Sequence, residues 1–151
     1  MMDIDDVIAR LARLEDERAV LDNLHRYGHS IDYGLDEDWV DCFLPDGRFE
    51  VRRRLEPDNH TVCEGADALR RFVANHTRPP AGYHKHLVVD SRIVVARDRA
   101  TSVSYFIRVD ADMESGGRSF VNAMGRYHDT LARCDDGRWR FIERLAEVED
   151  R

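Results

Sequence analysis

The chain has 151 residues, of which 35% are charged, and its formal net charge is -7 at pH 7. This length predicts one domain, over residues 1–151, that buries about two-thirds of the surface of its unfolded chain. The acidic balance argues against nucleic-acid phosphates as a partner. We interpret the short basic run of Arg52, Arg53 and Arg54 as a solvated face rather than as a phosphate-binding patch.

Cysteine spacing and the N-terminal sequence bear on the compartment. Cys42, Cys63 and Cys134 are widely spaced and form no CxxC pair, which favours a reducing compartment over a disulfide framework or a zinc knuckle. The start MMDIDDVIAR lacks the basic and apolar regions of a secretion signal. No stretch approaches the roughly eighteen apolar residues of a membrane helix. We therefore expect a soluble cytoplasmic protein.

Helical periodicity dominates the first part of the chain. One long helix, or two helices joined near Glu15, is predicted by apolar residues at helical spacing, namely Ile4, Val7, Ile8, Leu11, Leu14, Val20, Leu21, Leu24 and Ile31. Gly34 is the expected C-cap, and Asp36 the expected N-cap of a short helix that precedes a turn at Pro45, Asp46 and Gly47. A second amphipathic helix is predicted over residues 65–75.

The second half of the chain is typical of an antiparallel sheet. After an isolated strand over residues 48–55, strands are predicted over residues 84–96, 100–111, 118–133 and 139–148. Turns are predicted at residues 97–99, 115–117 and 135–137. This order of elements predicts the α+β class, with N-terminal helices packed on a strongly curved antiparallel or mixed sheet. Gly125 is the expected position of a bulge or bend that sharpens the curvature, and an apolar pocket is expected between sheet and helices.

The stretch LDNLHRYGHSID places a carboxylate, Asp32, close to the apolar face of the first helix. A carboxylate in that position needs a hydrogen-bond donor from elsewhere in the chain. His86, near the start of a predicted strand, is the candidate partner, and the two would form an acid–base dyad. The alternative is that His86 is a half-exposed strand-end residue and Asp32 an ordinary acid at a helix C-terminus.

Other side chains are candidates for roles around such a pocket. Tyr27 can donate its phenol to a substrate oxygen, although a tyrosine on an apolar stripe is usually a core residue. Asn122 can bind a ligand oxygen and Arg144 can bind a carboxylate or an enolate, although both residue types are more often structural. The expected lining of the pocket comprises Trp39, Phe43, Phe106 and Met124.

Metal and nucleophile chemistry are not favoured by the sequence. His25 and His29 are one helical turn apart, and His84 and His86 share one face of a strand, so each pair can chelate a metal. However, neither pair belongs to an HExxH or Cys–His set, so we predict no metal site. Nothing in the sequence resembles a G-x-S-x-G nucleophile elbow or a phosphate-binding glycine loop.

Five segments carry a family resemblance. In chain order they read LEDERAVLDNLHRYGHSID, DEDWVDCFLPDGRFEV, EGADALRRFV, HKHLVVDSRIVV and GRYHDTLARCDDGRWRFIER. Together they resemble the SnoaL-like branch of the nuclear-transport-factor-2-like superfamily, over nearly the whole chain. The resemblance implies an α+β cone that is usually a homodimer, and relatives that include polyketide cyclases, dehydratases and a dehydrochlorinase.

In the dehydratase and dehydrochlorinase members, a tyrosine and an aspartate on the first long helix face a histidine before a central strand. By this resemblance His86 would be the base, Asp32 would orient it, and Tyr27 would polarise a carbonyl or assist a leaving hydroxyl. No cofactor is implied, and the expected partner is a hydrophobic oxygenated small molecule. Two other readings of the same fold are a non-catalytic ligand-binding or dimerisation module, and the small subunit of a ring-hydroxylating oxygenase.

Overall fold

The computed structural model describes residues 3–114 and 116–150, and this part of the chain forms three helices and six strands. The elements are α1 (Ile4–Tyr33), α2 (Asp36–Val40), β1 (Phe43–Arg53), β2 (Thr61–Glu64), α3 (Ala66–Ala74), β3 (His84–Ala96), β4 (Arg99–Asp112), β5 (Arg118–Arg133) and β6 (Trp139–Val148). The bounds predicted for β3, β5 and β6 are confirmed. Of the turn predicted at residues 115–117, Ser115 lies outside the described residues.

The helix α1 is a single continuous helix. It ends as predicted at Gly34, which has φ 70° and donates its backbone N–H to the carbonyl of Ser30. Only the second half of α1 packs in the core, where Val20 and Leu24 are fully buried, whereas Ile4 in the first half is 67% exposed. None of the helices in the described part of the chain is long and apolar enough to cross a membrane.

The strands form one mixed sheet in the order β2-β1-β6-β5-β4-β3. The predicted antiparallel meander accounts for β3 to β6, while β1 returns to pair with β6 in parallel. Because β2 and β3 form the edges, the described sheet is open. The helices cover one face of the curved sheet, so the predicted α+β cone is confirmed.

Of the bulge or bend expected at Gly125, the bulge does not lie there. The register between β4 and β5 shifts instead between Arg108 and Val109, which pair with Ala123 and Val121, so that Asn122 is the extra residue. Gly125 is required for a different reason, because a Cβ atom there would lie 1.9 Å from the carbonyl oxygen of Glu147 on the neighbouring strand. The irregularity therefore falls where β5 passes the cavity described below.

Candidate active site

The contact between α1 and β3 is set by Gly28. A Cβ atom at this position would lie 2.9 Å from the backbone carbonyl oxygen of His86, so only glycine lets the helix approach the strand this closely. Asp32 follows one helical turn later on the same side of α1. The close approach therefore brings the Asp32 carboxylate to the start of β3.

The predicted partners Asp32 and His86 are in direct contact. Oδ1 of Asp32 lies 2.6 Å from Nδ1 of His86, and Oδ2 accepts the backbone N–H of His86 at 3.0 Å. The carboxylate is only 4% exposed. Because a carboxylate oxygen can only accept, Nδ1 carries the proton of the neutral imidazole, and Nε2 of that tautomer has a free lone pair. Oδ1 of Asp32 thus holds the imidazole in one tautomer and one orientation, while Oδ2 binds the backbone of the same residue.

Two more histidines extend this arrangement. Nε2 of His84 lies 3.4 Å from Oδ1 of Asp32 and 3.1 Å from Nε2 of His76, which follows α3. Burial lowers the pKa of His76 to about 3 and also lowers the pKa of His84. The second cause of both shifts is the neighbouring imidazole of His86. The imidazoles of His76 and His84 are therefore neutral at neutral pH. Sequence analysis missed His76, because its proximity to β3 depends on the loop between α3 and β3.

A cavity of about 380 Å³ lies between the helices and the concave face of the sheet. Its walls combine polar side chains with apolar and aromatic ones, the latter including Ile31, Phe49, Val51, Phe72, Phe106, Tyr127, Ala146 and Val148. The polar side chains that border it include Tyr27, His76, His86, Arg108 and Asn122. A few converging polar groups in an apolar cavity are typical of small-molecule sites.

Tyr27 borders the same cavity while being only 2% exposed. Burial is the main cause that raises the pKa of Tyr27 well above its usual value, and the neighbouring Tyr127 is the second. The phenol therefore keeps its proton at neutral pH and can act as a hydrogen-bond donor. The guanidinium carbon of Arg144 lies 4.3 Å from the centre of the Tyr27 ring and holds that ring from the core side.

The predicted pocket residues divide into two groups. Phe106 and Asn122 line the cavity, and Asn122 donates to Oδ2 of Asp110 at 2.6 Å. Trp39 and Phe43 lie outside the lining, packed together in the core with ring centroids 5.1 Å apart. Met124 is 49% exposed, because it lies on the outer face of the sheet, and the extra residue at Asn122 is what lets Asn122 face the cavity although the two have the same parity. The predictions for Trp39, Phe43 and Met124 as lining residues are therefore corrected.

Arg144 does not border the cavity, contrary to its predicted ligand-binding position. It is fully buried and makes a two-pronged ion pair with Asp129, with N–O distances of 2.8 and 2.9 Å. Asp129 also accepts the hydroxyl of Ser102. The residues are paired across β5 and β6, a long-range register that side-chain pattern alone did not indicate. Arg144 thus acts in the core, against the ring of Tyr27.

Arg108 is one of two arginines that border the cavity, the other being Arg53, and sequence analysis missed it as a site residue. Its guanidinium is held by Asp110 through contacts of 2.7 and 2.9 Å, and Asp110 is held in turn by Asn122. The feature of the sequence that could have revealed Arg108 is its position as the lone charged residue in the mainly apolar and aromatic segment VSYFIRV. A charged side chain on the inward face of such a strand indicates either an ion pair or a binding site.

The fold and cavity define an α+β cone in which helices close a curved sheet over a cavity. The chain belongs to the SnoaL-like domain family, whose sequence model matches residues 12–145. The predicted family resemblance is thus confirmed. A comparison with curated proteins found no match.

Several solved structures share the fold. An NTF2-like protein with a cystatin-like fold from Novosphingobium aromaticivorans has a TM-score of 0.85 at 22% identity, over 99% of this chain and 92% of that one. A protein from the same species, assigned as the beta subunit of an aromatic-ring-hydroxylating dioxygenase, has a TM-score of 0.76 at 20% identity, over 95% and 93%. A Catenulispora acidiphila protein in complex with S-DNPA has a TM-score of 0.73 at 23% identity, over 89% and 94%. At these identities the likeness shows the fold.

Proposed function

We propose that this protein is a cofactor-independent lyase or isomerase that acts on a hydrophobic oxygenated small molecule by general acid–base catalysis. The observation that carries the proposal is the pair formed by Asp32 and His86, with 2.6 Å between Oδ1 and Nδ1, on the wall of the cavity. A carboxylate that holds one imidazole nitrogen leaves the other free to take a proton from a bound molecule.

The chemistry begins with a carbon-bound proton next to a carbonyl group. Nε2 of His86 takes this proton, and the electron pair of the C–H bond moves into an enolate. The phenol of Tyr27 donates a hydrogen bond to the enolate oxygen, where charge develops. In a dehydration, the imidazolium then protonates a leaving hydroxyl and water departs; in an isomerisation, it returns the proton to a different carbon. Both outcomes balance without a redox partner.

The cavity supports a compact aromatic or polycyclic substrate. Its volume of about 380 Å³ and its aromatic walls, including Phe49, Phe72 and Phe106, suit a flat apolar body. The polar side chains can then orient one oxygenated edge of the molecule. A neighbour in fold that was solved in complex with S-DNPA supports small-molecule binding as the use of such a cone.

We expect the protein to form a homodimer or a higher homo-oligomer. A second candidate role, the small subunit of a ring-hydroxylating oxygenase, is favoured by the similar fold of a protein assigned as such a beta subunit. The two roles differ in assembly, because the second requires a stable complex with a larger metal-bearing chain. Light scattering of the purified protein distinguishes them, and a catalytically active lone homodimer would exclude the second.

Proton abstraction can be tested before the natural substrate is identified. The protein is incubated in D₂O with a panel of aromatic and polycyclic ketones that carry a β-hydroxyl group, and deuterium uptake and loss of water are followed by mass spectrometry. We expect exchange with the wild-type protein and none above background with His86→Ala. The matched control is His60→Ala, an exposed histidine in the loop between β1 and β2. Exchange that persists in His86→Ala would end the dyad hypothesis.

A further inference from the structure

Three histidine side chains converge beside the cavity. His76 follows α3, while His84 and His86 lie on β3, and one ring nitrogen from each lies within 4.8 Å of the other two. Nε2 of His76 and Nε2 of His84 are 3.1 Å apart. In a tetrahedral site with metal–nitrogen bonds of about 2.0–2.1 Å, ligand nitrogens lie about 3.3 Å apart, so this pair already has the required spacing. A modest rotation of the side chains would bring the nitrogen of His86 to the same spacing.

We propose that His76, His84 and His86 form a binding site for one divalent transition metal ion of the Zn²⁺ class. His86 coordinates through Nε2, while its Nδ1 stays bonded to Asp32. A carboxylate on the far nitrogen of a ligating histidine is the usual support of such ligands, because it fixes the tautomer and makes the ring a stronger donor. Neutral imidazole favours Zn²⁺, Co²⁺, Ni²⁺ and Cu²⁺ over Mg²⁺ and Ca²⁺.

The site is separate from the histidine pair that the sequence makes conspicuous. His25 and His29 are exposed on α1 and border a different pocket, which also touches Asp32 and His86. The three histidines, by contrast, border the cavity between the helices and the sheet through His76 and His86. A water molecule or an oxygen of a bound small molecule can therefore complete the coordination from the cavity side.

Metal binding has a consequence that rests on the proposed function. A metal ion on Nε2 of His86 occupies the lone pair that takes the substrate proton, so the metal-loaded protein cannot use His86 as a base. The ion is therefore an inhibitor of the acid–base reaction rather than its cofactor. Removal of the ion restores the free lone pair and, with it, the reaction.

The metal site is tested without any substrate. Untagged, chelator-treated full-length protein is titrated with Co²⁺, whose visible absorption reports coordination by nitrogen ligands. We expect saturable binding of one Co²⁺ per chain and at least a tenfold loss of affinity in His76→Ala. His76→Gln, which keeps more of the side-chain volume, repeats the measurement if the alanine variant is less well folded by circular dichroism. Asp32→Asn is expected to bind about 10–100-fold more weakly.

The matched control is the double variant His25→Ala/His29→Ala, which we expect to bind Co²⁺ like the wild type. The absence of saturable Co²⁺ binding, unchanged affinity in both His76 variants, or loss of binding in the His25/His29 double variant would each overturn the proposed site. These outcomes do not depend on turnover. Failure of the metal-free protein to catalyse exchange would instead count against the proposed function and leave the Co²⁺ result standing.

Inhibition is measured with the deuterium-exchange assay. We expect one equivalent of Zn²⁺ to suppress exchange by the wild-type protein, and a chelator to restore it. In His76→Gln the same suppression should require at least tenfold more Zn²⁺. Full exchange activity at saturating Zn²⁺ would show that His86 is not a ligand and would overturn the site in the form proposed.

Discussion

The replacement Asp32→Asn tests how the dyad works, because it removes the charge with little change in shape. In the wild type, one oxygen of Asp32 holds Nδ1 of His86 at 2.6 Å and the other holds the backbone N–H of His86 at 3.0 Å. An asparagine side chain offers one acceptor and one donor, so it can satisfy only one of these two N–H groups. At the other contact, the asparagine NH₂ either faces an N–H group, so that two donors meet, or donates to a nitrogen that has lost its proton, which reverses the hydrogen bond.

The reversed hydrogen bond is the less costly result, because it keeps the backbone N–H paired. In that arrangement the asparagine NH₂ donates to Nδ1, and the imidazole proton moves to Nε2. The nitrogen that faces the proposed reaction then has no lone pair. A wrong tautomer of this kind costs about 10²–10⁴-fold in kcat in acid–base enzymes. The loss of a charge-assisted hydrogen bond also lowers the free energy of unfolding by about 1.5–3 kcal/mol.

The tautomer is measured directly by ¹⁵N NMR of the histidine side chains in metal-free protein, alongside the deuterium-exchange rate. We expect Nδ1 of His86 to be the protonated nitrogen in the wild type and Nε2 in Asp32→Asn. Asp22→Asn is the control, because Asp22 lies on the same helix and its side chain is 58% exposed. An unchanged ¹⁵N pattern together with a wild-type exchange rate in Asp32→Asn would refute this account of the dyad.

Three further predictions concern packing around the site. Gly28→Ala should lower the Tm by up to about 8 °C and reduce exchange, because its Cβ would lie 2.9 Å from the carbonyl oxygen of His86. The crowding costs about 1–3 kcal/mol, which outweighs the roughly 1 kcal/mol gained in helix propensity. Arg144→Met should lower the free energy of unfolding in urea by about 3–5 kcal/mol, because it leaves Asp129 buried without its ion-pair partner. Unchanged stability would contradict this account of the buried ion pair. Burial raises the pKa of the Cys42 thiol to about 12, so at pH 8 it should react with a disulfide reagent only as fast as the protein unfolds, and rapid labelling in the native state would contradict its burial.

The strands show which parts of the fold depend on local sequence. The bounds of β5 and β6 follow from alternating apolar residues and from the local turn at residues 135–137, so a single segment contains the needed information. The parallel pairing of β1 with β6, by contrast, is not specified by any single segment. It joins segments far apart in the chain, and no local pattern specifies which distant strand lies alongside which.

The candidate site divides in the same way. Tyr27 and Asp32 were predictable as neighbours because both lie on one amphipathic helix, and His86 was predictable as a partner for a carboxylate that needed one. Asn122 and Met124 have the same parity along β5, and only the extra residue at Asn122 separates them, with Asn122 at the cavity and Met124 on the outer face. Local alternation cannot reveal a bulge that depends on the partner strand.

The sequence by itself determined the α+β class, the principal strands, and the helix that carries a tyrosine and a carboxylate on its buried side, because helical and strand periodicity are properties of short segments. Only the tertiary structure decided that Arg144 pairs with Asp129 in the core, that Arg108 borders the cavity, and that His76 joins His84 beside the dyad. These contacts join segments whose separation in space depends on sheet register and on the path of loops. The physical reason is that periodicity orients a side chain on its own element but does not choose the side chain that it meets.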